Sequence, residues 1–218
     1  MPHSPYRIVV LISGFGSNLQ AIINQIKTGD IPAQICAVLS DKADAYGLQR
    51  AAHAHIPAIA LPRNEYKDRK AFNHAMIKEI DTFKPDLVVL SGFMRILSAE
   101  FVEHYQGRLI NIHPSLLPKH TGLSTHAKAL AHGDKEHGST VHFVTDELDN
   151  GPIIAKIIIN IDENDNIDTL KSRVQEKEHI LYPAVIKWFA EGRLHLKGNN
   201  VYLDNLVLPD TGAVLEIG

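Results

Sequence analysis

Apolar and polar positions change period along the chain in a repeating way. Short β-branched runs of strand length alternate with longer stretches whose apolar residues recur every three to four positions, the pattern of βα units on a parallel sheet. The first run, RIVVLI, spans residues 7–12. After SGFGSN comes a helix from about Asn18 to Lys27, with Leu19, Ile22, Ile23 and Ile26 at helical spacing, ended by Thr28-Gly29-Asp30. QICAVLS predicts a second strand, and the helix after it, through Ala45 to His55, stops before Pro57. AIAL predicts a third short strand, leading into a helix from Glu65 to Phe83 with Pro85 beyond its end. DLVVLSG at 86–92 and RLINIH, which closes at His113, predict the fourth and fifth strands.

Beyond Pro114 the texture changes. A loop and short helix span 119–132, then GSTVHFV and GPIIAKIIINI read as two strands joined by TDELDN, a pair suited to antiparallel pairing. A last helix runs from about Asp168 to Ala190 with Leu170, Val174, Ile180, Leu181, Val185, Ile186 and Phe189 on its apolar face, and Pro183 should kink it. LHLKGNNVYLDN alternates around Gly198 and predicts a hairpin. The fold class is therefore α/β: a Rossmann-like, mostly parallel twisted sheet with helices on both faces, a mixed edge and a C-terminal hairpin. One domain over 1–218 is expected, its core at about 6–193 and its tail at about 194–218.

Composition narrows the function. Of 218 residues, 44% are hydrophobic and 22% charged, which is ordinary for a folded globular chain and leaves no room for a disordered one. The net charge of −3, with both signs interspersed, gives no basic face for nucleic acid, while a local basic pocket for a small phosphate stays open. Cys36, the single cysteine, lies in AQICAVLS and reads as a small hydrophobe. MPHSPYR lacks a cationic segment followed by an apolar one, and the longest apolar runs are of strand length, so no membrane partner and a cytoplasmic location are expected. A monomer and a homodimer both remain open.

Three constellations carry candidate chemistry. SGFGSN follows a strand and opens a helix, where glycines let backbone approach an anion and the helix start favours negative charge. A tight βα turn capped by Ser17 or Asn18 explains it about as well, Leu19 stands where a dinucleotide fingerprint wants a third glycine, and Asp41 could imitate that fingerprint's ribose-binding acid. In Asn111-Ile112-His113-Pro114 the amide and imidazole share one face of a strand that proline ends at its carboxyl edge. Together they resemble an oxyanion site, although a polar strand end bonded to water and turn amides is the commoner fate of such a triplet. TDELDNGP supplies Asp146, Glu147 and Asp149, and an acid near His113 would hold the ring charged and oriented; taken alone the segment is a solvated turn.

Other chemistries fit less well. His53 and His55 point to different helix faces, and neither HExxH nor paired CxxC occurs, so no metal site is expected. His74, His104, His132 and His137 read as surface or helix-end residues, and Ser13 and Ser115 lack the context of a nucleophile elbow. Direct transfer between two bound substrates fits better than a covalent enzyme intermediate.

In order, VVLISGFGSNLQAII, GFMRILS, GRLINIHPSLLP and HGSTVHFVTDELDNGPII resemble the successive signatures of the phosphoribosylglycinamide formyltransferase family, over about residues 6–193. The resemblance implies transfer of a formyl group from 10-formyltetrahydrofolate to the amino group of glycinamide ribonucleotide in purine synthesis. It also implies residue roles. Asn111, His113 and Asp149 match the catalytic trio; Gly16, Ser17 and Asn18 would bind the acceptor's phosphate and Glu178 its ribose. Met94, Arg95, Ile96 and Leu97 would line the folate pocket together with Asn111, Arg69 would meet the folate's acidic tail, and Thr145, Asp146, Glu147, Leu148 and Asp149 would close over the pterin. The sequence departs from the family at Phe15, between the two glycines, and at His120-Thr121, where an aromatic residue and its neighbour are expected; His126 and Ser124 are further candidates for the phosphate. A folate enzyme that hydrolyses the formyl group or passes it to another amine, and a non-catalytic nucleotide-binding regulator, are the rival functions for such a sheet.

Overall fold

A computed structural model describes residues 5–216. Residues 1–4 of the expected leaderless start and residues 217–218 of the expected tail lie outside them. Two compact units divide the chain, Met1–Ile110 and Asn111–Gly218.

In the first unit, β1 (Tyr6–Ile12), β2 (Ala33–Ser40), β3 (Ala58–Ala60) and β4 (Leu87–Leu90) alternate with α1 (Ser17–Lys27), α2 (Tyr46–His53) and α3 (Arg69–Thr82). β1 pairs in parallel with both β2 and β4, and β2 with β3. That explains the unbroken apolar runs, because a central parallel strand is covered on both faces; Ile8 to Ile12 are all fully buried. The register slips after Ile8, where Cys36 is the extra residue of a bulge in β2. Buried there, the Cys36 thiol has its pKa raised chiefly by desolvation, as suits an inert core thiol.

One helix starts later than the sequence pattern suggests and another is added to it. α3 begins at Arg69 rather than Glu65, because the carboxylate of Asp68 accepts from the Ala71 amide at 2.7 Å and caps the helix; Arg63–Glu65 forms a separate 3-10 turn. A short helix, α4 (Ala99–His104), has no counterpart in the periodicity, although Ser98 caps it by accepting from the Phe101 amide.

β5 (Leu109–His113) crosses the division between the units. The second unit continues with α5 (Thr125–Ala131), β6 (Glu136–Phe143), β7 (Ile153–Asn160) and α6 (Ile167–Ala190). The tail adds β8 (Leu194–Lys197), β9 (Asn200–Leu203), β10 (Leu206–Val207) and β11 (Ala213–Val214). The strand order is β11-β7-β6-β5-β4-β1-β2-β3 in one sheet and β10-β9-β8 in another. β6 and β7 are antiparallel, which is the expected mixed edge. β8 and β9 form the expected hairpin around Gly198, whose φ of 60° suits the first position of a tight turn. Two short strands were not legible: β10 extends the hairpin, and β11 pairs in parallel with β7.

α6 starts at a capping box between Asn166 and Thr169 and is helical on both sides of Pro183. Its buried face includes Leu170, Val174, Glu178, Leu181, Tyr182, Val185, Ile186 and Phe189. Ile180, expected on that face, is exposed instead, since it lies two residues past Glu178 and so on the far side of a helix with this buried stripe. The helix thereby carries one acid, Glu178, into an otherwise apolar face.

Candidate active site

β5 supplies the centre of the site. Pro114 breaks the ladder after His113, while Ile112 is buried on the face opposite Asn111 and His113. His113 is itself buried. Its Nδ1 lies 3.5 Å from Oδ2 of Asp149, and its Nε2 lies 3.0 Å from the carbonyl oxygen of His120. Two oxygen atoms therefore flank the ring, a carboxylate at Nδ1 and a carbonyl at Nε2.

Asp149 reaches His113 from the β6–β7 loop. Its backbone is left-handed, φ 52°, and Oδ2 also accepts from the Gly122 amide at 2.8 Å. Both carboxylate and imidazole are shielded, with side-chain exposures of 8% and 7%, so the pair is screened far less than a surface pair. Gly151 explains how the loop closes so tightly: a Cβ there would lie 1.8 Å from the Phe143 carbonyl oxygen. The remainder of the loop faces outward, with Asp146, Glu147 and Leu148 exposed and Asn150 donating to Glu147.

Asn111 is oriented by a residue the sequence did not single out. Its Nδ2 lies 3.2 Å from Nε2 of His142, whose Nδ1 lies 2.8 Å from the Phe143 carbonyl oxygen. A carbonyl only accepts, so Nδ1 carries the proton. Burial lowers the pKa of His142, leaving Nε2 as an acceptor for the Asn111 amide. The amide keeps a second N–H for a reacting oxygen. His142 lies inside the apolar run VHFV, and only the period-two alternation of that strand hinted at its side.

Two further readings change. His137, taken as a surface or helix-end residue, is buried in β6, because the strand starts at Glu136, two residues before the apolar run suggests. Desolvation lowers its pKa to about 4. Its Nε2 lies 3.1 Å from Nδ1 of His126, which commits the latter ring to a protein partner. Asp41 is buried with Oδ2 accepting from Arg95 Nε at 2.5 Å, which matches a guanidinium anchor rather than a ribose acid.

Glu178 is buried, and its Oε1 accepts from the Ser139 hydroxyl at 2.7 Å. In the first unit, Gly16 is the N-cap of α1 at φ 72°, a residue with no side chain to cap the helix itself. A Cβ on Gly16 would meet Gly47 Cα at 2.9 Å, so the loop packs too closely for any larger residue. Phe15 is exposed and stacks on Tyr46, with the Arg50 guanidinium over both rings and its Nε donating to the Phe15 carbonyl. Met94 and Ile96 are 66% and 63% exposed. The Met94 amide donates to Ser13 Oγ, Leu97 is half-buried, and Arg69 is exposed at the start of α3. Among the described residues, no group of His, Cys, Asp or Glu is arranged to hold a metal ion, and no helix is long and apolar enough to cross a membrane.

A parallel sheet with a mixed edge, and an amide and a carboxylate-paired imidazole at the end of a strand, define a formyl transferase: the model of that family matches residues 6–186. Phosphoribosylglycinamide formyltransferase of Escherichia coli (strain K12) is 55% identical over 205 residues, 94% of this chain and 97% of that one. The solved phosphoribosylglycinamide formyltransferase of Coxiella burnetii superposes with a TM-score of 0.95 at 52% identity, covering 98% of this chain and all of that one. The human trifunctional purine biosynthetic protein adenosine-3 is 42% identical over 193 residues, 88% of this chain and 19% of the larger protein. The chain belongs to the phosphoribosylglycinamide formyltransferase family.

Proposed function

We propose that this enzyme moves the formyl group of 10-formyltetrahydrofolate onto the amino group of glycinamide ribonucleotide, a step of purine synthesis, and that Asn111, His113 and Asp149 carry the chemistry. What supports the assignment is the contact between His113 and Asp149 at 3.5 Å, within a strand end where Asn111 is held by a neutral His142. The acceptor amine attacks the formyl carbon directly. In the tetrahedral intermediate the former carbonyl oxygen takes the free N–H of Asn111 and an N–H of His113. Asp149 keeps the imidazole oriented, and either Asp149 or a water takes the amine proton. That proton is passed to the folate nitrogen as the C–N bond to the formyl carbon breaks, giving tetrahydrofolate and formylglycinamide ribonucleotide. No covalent enzyme intermediate is needed, and Ser115 Oγ is committed to the Lys119 carbonyl at 2.6 Å.

For the substrates, the start of α1 at Gly16, Ser17 and Asn18 suits a phosphate, because a helix N-terminus after a close glycine turn favours an anion, and Glu178 suits the ribose hydroxyls. Met94, Arg95, Ile96 and Leu97 suit the lining of a folate pocket, with Ile96 and Leu97 toward the pterin, and Arg69 suits the acidic tail. The reaction class is tested by following tetrahydrofolate release from 10-formyltetrahydrofolate with and without glycinamide ribonucleotide. Release that depends on the acceptor and matches formylated product supports transfer. Equal release without the acceptor would make the enzyme a hydrolase.

A further inference from the structure

In the segment between β5 and α5 the backbone grips both members of the His113–Asp149 pair. The His120 carbonyl accepts from His113 Nε2 at 3.0 Å, and the Gly122 amide donates to Asp149 Oδ2 at 2.8 Å. Two main-chain groups two residues apart thus set an imidazole against a carboxylate. The grip depends on the shape of the turn. His120 is left-handed at φ 54°, a conformation an L-residue keeps only where its surroundings hold it there.

What holds it is Asp134, just beyond α5. The His120 ring nitrogen Nε2 lies 2.6 Å from Asp134 Oδ2, and the other carboxylate oxygen accepts from Lys119 Nζ at 3.3 Å. The two side chains are nearly buried, 10% and 15% exposed, so water competes little for the bond. The same bond is the main cause of the lowered pKa of Asp134. A second tie, from Lys128 Nζ to the Thr121 carbonyl at 2.8 Å, joins the turn to α5.

We infer that His120, held by Asp134, is a positioning residue for formyl transfer: the pair fixes the turn whose backbone registers His113 against Asp149. This rests on the assignment of His113 and Asp149 to the reaction. The His120 carbonyl keeps a proton on Nε2 and the ring in one orientation. A developing formyl oxyanion is a stronger acceptor than that carbonyl, so the N–H passes to it without a change of tautomer. Without the anchor, the turn relaxes toward ordinary backbone angles and the ring loses that acceptor.

The test uses the full chain with His120→Ala, Asp134→Ala, the double variant and His120→Gln, whose amide N–H sits about where imidazole Nε2 does. Thermal unfolding first establishes that each is folded. Both single alanine variants are expected to lose roughly 10- to 100-fold in kcat, as misplacing a reacting group by about 1 Å does, with KM for either substrate within about twofold. The double variant should be no worse than either single one, because the two residues act as one unit. His120→Gln should stay within about threefold of the parent, and the His113 side-chain 1H–15N signal should move in the alanine variants but not in the glutamine one. Unchanged kcat in folded His120→Ala, additive losses, or a glutamine variant as poor as alanine would each overturn the inference. If an alanine variant does not fold, Asp134→Asn is judged by the same kcat and His113 signals. His113→Ala, run alongside, separates two failures. Normal turnover there removes the reacting-pair assignment itself; an inactive His113→Ala beside a normal His120→Ala removes only the role of His120.

Discussion

The amide of Asn111 donates to Nε2 of His142 across 3.2 Å, and the Phe143 carbonyl, 2.8 Å from the other ring nitrogen, dictates that tautomer. An amide with one N–H tied down has a fixed plane, so its second N–H points in one direction only. Replacing His142 by alanine removes the tie without touching Asn111. Turnover should fall about tenfold or more, with a smaller change in KM, because an oxyanion donor is misaimed rather than lost. Steady-state kinetics checks this, and an unchanged kcat would mean that Asn111 is oriented by something else.

Acid should weaken the fold before its carboxylates titrate. His137 has its pKa lowered to about 4, and His126 and His142 are lowered in the same direction, all three chiefly by desolvation. In the unfolded chain a histidine takes its proton at about 6.5. Between that pH and about 4 the unfolded state therefore binds more protons than the native one through His137, and stability falls as pH falls. Above about 7 these groups are neutral in both states and contribute no slope. Urea midpoints measured from pH 7.5 down to 4.5 should decline, and His137→Gln should flatten part of that decline. Midpoints flat across this window would contradict the burial of these rings as the source.

Gly151 allows the loop bearing Asp149 to close against β6. Alanine there would place its Cβ 1.8 Å from the Phe143 carbonyl oxygen, and backbone cannot yield as a side-chain tip does. Gly151→Ala should destabilise the protein by roughly 1–3 kcal/mol, the cost of overpacking, and should also lower turnover because Asp149 moves with the loop. Urea unfolding and a kinetic assay on the folded variant measure the two effects separately. A fully active variant of parental stability would show that the loop tolerates another path.

Much of this was legible in the residues. Buried parallel strands such as β1 appear as unbroken apolar runs, and the shared face of Asn111 and His113 follows from period two plus the proline that stops the strand. Asp149 was one of three acids in TDELDNGP, and only the family resemblance separated it from Asp146 and Glu147. Elements with little to bury were hidden: α4 is six residues long with Phe101 as its buried residue, and β11 pairs two residues with a distant strand. The His120 carbonyl and the Gly122 amide were hidden for another reason. They are backbone groups, and side-chain identity says nothing about where backbone points. His137 and His142 were obscured because burial, not residue type, decides whether a histidine is a neutral core acceptor or a solvated base.

If Asn111 and His113 hold the formyl oxygen during transfer, Asn111→Ala removes one of the two donors while the strand around it stays apolar and paired. The measurement is kcat for formyl transfer at saturating 10-formyltetrahydrofolate and glycinamide ribonucleotide, on a variant shown to be folded. Loss of one oxyanion donor predicts a fall of ~10²–10³ in kcat. A kcat within about twofold of the parent would contradict the claim, because that small a change is far below what an oxyanion donor contributes.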